Sequence, residues 1–129
     1  MRTPYMFELK IITQFAAAHR LRNFKGKCEQ LHGHNWKVEV LVRADRLDST
    51  GLVRDFGEIK AITHEVLTGL DHQYLNELVP FDVENPSSEN IARILFGRLS
   101  GLLNDDRVRV SQVSIWESDS ACASYFGDE

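Results

Sequence analysis

The sequence predicts an α+β domain: an antiparallel sheet with two helices on one face, in the order β-β-α-α-β-β. Three observations predict it. Two long segments near the N-terminus alternate apolar and polar residues, the middle of the chain changes to helical spacing, and the last part returns to short alternating runs. With 129 residues, 43% hydrophobic and 26% charged, the chain suits a single domain over residues 1–129 with one core.

Each element has its own signal. Phe7, Leu9, Ile11, Thr13, Phe15, Ala17 and His19 share one phase, opposed by Glu8, Lys10, Gln14 and Arg20, as in a half-buried strand. After a turn-like “RNFKGK”, His32, His34, Trp36, Val38, Val40 and Val42 repeat the pattern, and the two strands are expected to pair antiparallel. “ADRLDSTGLVRDFG” leads into a helix whose start is marked by Asp55 and Glu58 in capping-box spacing. Ile59, Ile62, Val66 and Leu70 form its apolar face, and it should end near “LDH” because “ELVPFDVENPSS” carries two prolines. A second helix begins near Ser87 or Ser88, turns Ile91, Ile94, Leu95, Leu99 and Leu102 inward, and closes at “NDD”. Val108 and Val110 then hold one phase while Val113, Ile115 and Glu117 hold the other. That slip near Ser111 and Gln112 predicts a β-bulge or a break between two pairings. “ACASYF” is the final strand.

Composition narrows the function. A net charge of −4 and a pI near 5.7 argue against binding nucleic acid through a broad basic surface. No run approaches the roughly 18 apolar residues of a membrane span, and “MRTPYMFELK” has no apolar secretory core. Two cysteines, Cys28 and Cys122, cannot make a disulfide framework, so a cytosolic protein with reduced thiols is expected.

Chemistry concentrates at “CEQLHGH”, residues 28–34, with His19 just upstream. One glycine between His32 and His34 keeps both imidazoles on one strand face, and His19 falls in the same apolar phase of the neighbouring strand. Three histidines on one face suit zinc with an open fourth position; the competing reading is three hydrogen-bonded core histidines. Near such a metal Cys28 would favour its thiolate form, whereas alone it reads as a small apolar residue. Cys122 reads as the latter. Asp71 and His72 form either a proton relay or a plain helix end, and His64 reads as surface. Glu117, in the inward phase of its strand, either anchors a guanidine-like ligand edge or faces water beyond the strand end.

Taken together, “AAHRL”, C-x-x-x-HGH, “DF”, LDH-x-YLN, “ENPSSE” and the late glutamate resemble the 6-pyruvoyltetrahydropterin synthase and 6-carboxytetrahydropterin synthase family from about Phe7 to Phe126. The resemblance implies the tunnelling fold and hexamers built as dimers of trimers, with active sites between subunits. It implies Zn2+ on His19, His32 and His34, Cys28 as the catalytic thiol, Asp71 and His72 as a relay pair, and Glu117 as the pterin anchor. The implied substrate is the small molecule 7,8-dihydroneopterin triphosphate, with Lys25 and Lys27 as candidates for its phosphates. Three residues between Cys28 and HGH resemble the carboxy-forming enzymes of queuosine biosynthesis rather than the pyruvoyl-forming ones. Glu29 beside Cys28 resembles members that also form 6-hydroxymethyldihydropterin, and it is a candidate second base. Outside the enzyme class, the histidines alone would also fit a non-catalytic zinc- and pterin-binding module.

Overall fold

A computed structural model describes residues 5–23 and 30–127. Two thirteen-residue strands, β1 (Phe7–His19) and β2 (His32–Ala44), run antiparallel with Phe15 opposite Trp36 and Ile11 opposite Val40. Helix α1 (Phe56–Thr68) follows, capped by Asp55, whose side chain accepts from the Glu58 N–H. Next come a two-residue strand β3 (Gln73–Tyr74), a 3₁₀ turn (Leu75–Glu77) and helix α2 (Ser88–Leu103), capped by Ser87. Strands β4 (Val108–Ser118) and β5 (Ala121–Phe126) complete a sheet ordered β3-β1-β2-β4-β5.

The α+β class is as expected, with one correction to the sheet. It is mixed rather than antiparallel, because β3 pairs parallel to β1 at Ala17 and Ala18. Two residues are too few to register as periodicity, so the intervening segment reads as loop. The expected slip is a bulge: Leu41 faces Gln112 and Val42 faces Val110, leaving Ser111 as the extra residue on β4.

Alternation along the strands turns Ile11, Phe15, Trp36, Val38, Val40, Val113 and Ile115 to the covered face, where they meet Ile59, Leu67, Ile91, Leu95 and Leu99 of the helices in one cluster. Of the expected helix faces, Ile59, Leu70, Ile91, Leu95 and Leu99 are buried and Ile62, Val66 and Ile94 pack against the core, so only Leu102 departs. In α1 the buried residues are Ile59, Thr63 and Leu67, and in α2 Leu103 is buried while Leu102 is exposed. Thr63 tolerates burial because its hydroxyl donates to the Ile59 carbonyl at 2.8 Å.

Candidate metal centre

Pairing of β1 with β2 sets His19 opposite His32 and Ala17 opposite His34. The three rings therefore converge, with centroids 4.5 Å (His19–His32), 4.7 Å (His32–His34) and 5.2 Å (His19–His34) apart. Trp36 packs edge-on beneath His19 and His34, and its indole N–H donates to the Ala17 carbonyl. A second bulge completes the cluster. Trp116 faces Cys122 and Ser118 faces Ala121, so Glu117 is the extra residue on β4. Its Oε1 lies 3.0 Å from His34 Nε2, 3.3 Å from His19 Nε2 and 3.9 Å from His32 Nε2.

Hydrogen bonding fixes which nitrogens are available. His19 Nδ1 lies 2.7 Å from the Pro86 carbonyl, and His32 Nδ1 lies 2.7 Å from that of Gln30. A carbonyl only accepts, so both Nδ1 atoms carry the hydrogen and, in neutral rings, both Nε2 atoms are bare. Those two lone pairs face each other at 3.0 Å. Among the described residues His34 Nε2 is buried without an assigned hydrogen-bond partner, although Glu117 Oε1 lies 3.0 Å away.

Lone pairs and a carboxylate converging in this way repel unless a positive charge sits among them. Burial holds the His19 pKa below the ordinary imidazole value, with the charge of His32 and His34 adding to the effect against the Pro86 bond and Glu117. Burial lowers His34 as well, again with Glu117 opposing. Protons are thus disfavoured on His19 and His34, two of four donor groups whose atoms lie within 4.8 Å of one another. Metal–nitrogen bonds of roughly 2.0–2.1 Å in a tetrahedral site place neighbouring donors about 3.3 Å apart, close to the spacings found. The cluster fits a metal ion.

The other expected site residues are distributed around it. Asp71 and His72 sit where the end of α1 meets the edge of β1: the Asp71 N–H donates to the Leu67 carbonyl at 3.0 Å, the Ala16 N–H donates to Asp71 Oδ1 at 2.9 Å and the His72 N–H donates to the Ala16 carbonyl at 2.6 Å. His72, at φ 58°, points its ring into solvent, with Nε2 3.6 Å from Asp71 Oδ2 and so beyond hydrogen-bond length. An open cavity of about 570 Å³, bordered by Gly33, His34, His72 and Tyr74, separates this pair from the cluster. A smaller one of about 170 Å³ lies on the Glu117 side, lined by Ser88, Glu89 and Cys122. Cys122, read from the sequence as a small apolar residue of the strand, is a free and exposed thiol there. His64 is exposed as expected. Cys28 and Glu29, with Lys25 and Lys27, lie outside the described residues. Sequence reasoning assigned no role to Pro86, nor to Asn76 and Asn85 beside it; their only signal was membership in “LDHQYLN” and “ENPSSE”.

A sheet that gathers three histidines and a glutamate at one end defines an α+β protein whose donor cluster could hold a metal ion, with cavities on both sides of it. Residues 8–128 match the family described as 6-pyruvoyl tetrahydropterin synthase, and the chain belongs to that family. It is 38% identical over 119 residues to 6-carboxy-5,6,7,8-tetrahydropterin synthase of Synechocystis sp., covering 87% of each chain. It is 43% identical over 103 residues to a protein of Archaeoglobus fulgidus that bears the same name provisionally, covering 79% of this chain and 84% of that one. Its fold is similar to that of Caenorhabditis elegans 6-pyruvoyl tetrahydropterin synthase, with a TM-score of 0.85, 27% identity and 99% of each chain covered.

Proposed function

We propose that the chain is a zinc-dependent 6-carboxy-5,6,7,8-tetrahydropterin synthase. It converts 7,8-dihydroneopterin triphosphate to 6-carboxytetrahydropterin and releases acetaldehyde and triphosphate. The observation that carries the reading is the set of bare Nε2 lone pairs on His19 and His32, facing each other beside His34 and Glu117. The names of the Synechocystis and Archaeoglobus relatives support the reaction.

Zinc held by His19, His32 and His34 supplies Lewis-acid polarisation of the substrate side chain. Glu117 lies between the donor cluster and the smaller cavity, so the same carboxylate can anchor a pterin ring edge seated against Ser88. Cys28, as thiolate, removes the carbon-bound proton, and His72 moves a second proton from across the larger cavity, steadied by Asp71. Glu29 adds a second base and with it a 6-hydroxymethyldihydropterin product. The enzyme works as a hexamer in the cytosol; no described helix is long and apolar enough to cross a membrane.

Product analysis tests the reading. Zinc-loaded protein incubated with 7,8-dihydroneopterin triphosphate should yield 6-carboxytetrahydropterin and acetaldehyde by mass spectrometry, while Cys28→Ala should keep its zinc and yield neither. A 6-pyruvoyl product would replace the proposed reaction by that of the 6-pyruvoyl enzymes. No product from fully metallated protein would leave a pterin-binding module.

A further inference from the structure

Two motifs that the metal centre does not use directly, “LDHQYLN” and “ENPSSE”, send Asn76 and Asn85 to the end of β1. Each amide makes a two-point pair with the backbone of one residue. The Arg20 N–H donates to Asn76 Oδ1 and Asn76 Nδ2 donates to the Arg20 carbonyl, both at 2.9 Å. The Arg22 N–H donates to Asn85 Oδ1 at 2.8 Å and Asn85 Nδ2 donates to the Arg22 carbonyl at 2.9 Å. The Arg22 guanidinium then bonds the carbonyls of Asn76, Phe81 and Glu84, tying the two motifs to each other.

Position in the chain shows what these pairs hold. Arg20 directly follows His19, and Pro86, whose carbonyl receives the His19 Nδ1 hydrogen, directly follows Asn85. Capping of α2 does not need Asn85, because Ser87 already accepts from the Asn90 N–H. We propose that Asn76 and Asn85 are positioning residues for the metal centre. They fix the Pro86 carbonyl against His19 Nδ1, and so keep His19 Nε2 bare and aimed at the other donors. A partner bonded directly to a ligand, as the Pro86 carbonyl is to His19, is worth about tenfold to hundredfold in metal affinity, and Asn76 and Asn85, one step further out, act through it. The inference rests on His19 being a metal ligand.

The test is zinc affinity by chelator competition, read together with the visible spectrum of the cobalt-loaded protein and the melting temperature. Asn85→Ala should bind zinc more weakly by up to about tenfold, the lower end of the range for a direct partner, and alter the cobalt bands. Asn85→Asp keeps the acceptor for the Arg22 N–H but loses the donor, and should show a smaller loss of affinity. Asn104→Ala is the control: it removes a comparable bond, to the Val110 N–H at 2.8 Å, and should lower the melting temperature alone. Wild-type affinity with an unchanged cobalt spectrum in Asn85→Ala, or in Asn85→Asp should the alanine variant not fold, would overturn the inference. A wild-type protein that takes up no zinc would instead remove the metal reading beneath it.

Discussion

What separates a metal-ligating imidazole from a packing one is the company of its two nitrogens. His64 is exposed on α1, whereas His19 and His32 each spend Nδ1 on a backbone carbonyl and leave Nε2 inside the cluster. Among the described residues His34 has no such anchor, and its Nε2 is buried without an assigned hydrogen-bond partner. Leaving a polar atom in that state costs about 1–3 kcal/mol, so removing the ring should relieve as much as it loses while the protein is metal-free. His34→Leu is therefore expected to change the urea-unfolding stability of chelator-treated protein by about 1 kcal/mol or less, yet to abolish stoichiometric zinc on metal analysis. A large loss of metal-free stability would mean that His34 is a packing residue. The shared phase of the three histidines was legible in the sequence, because alternation follows from the strand alone. The anchors were not, since Pro86 is distant from His19 in sequence and contributes only a carbonyl that every residue has.

At the scale of elements, local signals were readable and signals that need a partner strand were not. The Ser111 bulge breaks the alternation of β4 and can be seen in the sequence. The Glu117 bulge leaves Val113, Ile115 and Glu117 in unbroken alternation and shows only in the register against β5. The turn from α2 into β4 carries a pH-dependent fastening of the same partnered kind. Asp105 accepts from the N–H groups of Arg107 and Val108 at 2.8 and 2.7 Å and pairs with Arg54 at 2.8 Å. Partial burial pushes its pKa up, but these bonds and the charges of Arg54 and Arg107 outweigh it and hold the carboxyl below its ordinary value. The folded protein thus binds the proton less readily than the unfolded chain, whose value is about 3.9. The resulting stabilisation is complete above about pH 4 and is lost as pH falls through the lower folded value. The carboxylate is 44% exposed, which limits the effect to about 0.5–1 kcal/mol. Asp105→Asn should be less stable than wild type by that amount at neutral pH, and the difference should shrink below pH 4 in acid-unfolding curves. A difference that stays constant into acid would exclude the charge as its source.

For the whole molecule the open question is how its edges and cavities are completed. β3 covers only Ala17 and Ala18, so among the described residues no strand pairs with the outer side of β1 from Phe7 to Phe15. At the other end of the sheet β5 is equally unpaired, with Tyr125 and Phe126 exposed. Two long free edges of this kind invite another chain. The β5 edge of one copy meeting the β1 edge of the next is a head-to-tail contact, which repeats until rotation closes a ring. The cavity beside Glu117 gives a second reason. At about 170 Å³ it falls below the roughly 300–1,000 Å³ usual for a small-molecule site, and a neighbouring subunit across the β5 edge would enlarge its walls. A closed ring of 14.8 kDa chains is therefore expected by light scattering at micromolar concentration, and a mass of six chains would match the proposed hexamer. Placing a charge on the free edge with Phe126→Lys should shift the protein to smaller species of unchanged circular dichroism and weaken pterin binding in parallel with dissociation. A wild-type monomer that binds pterin normally would mean that one chain completes the site by itself, and the ring assembly would have to be given up.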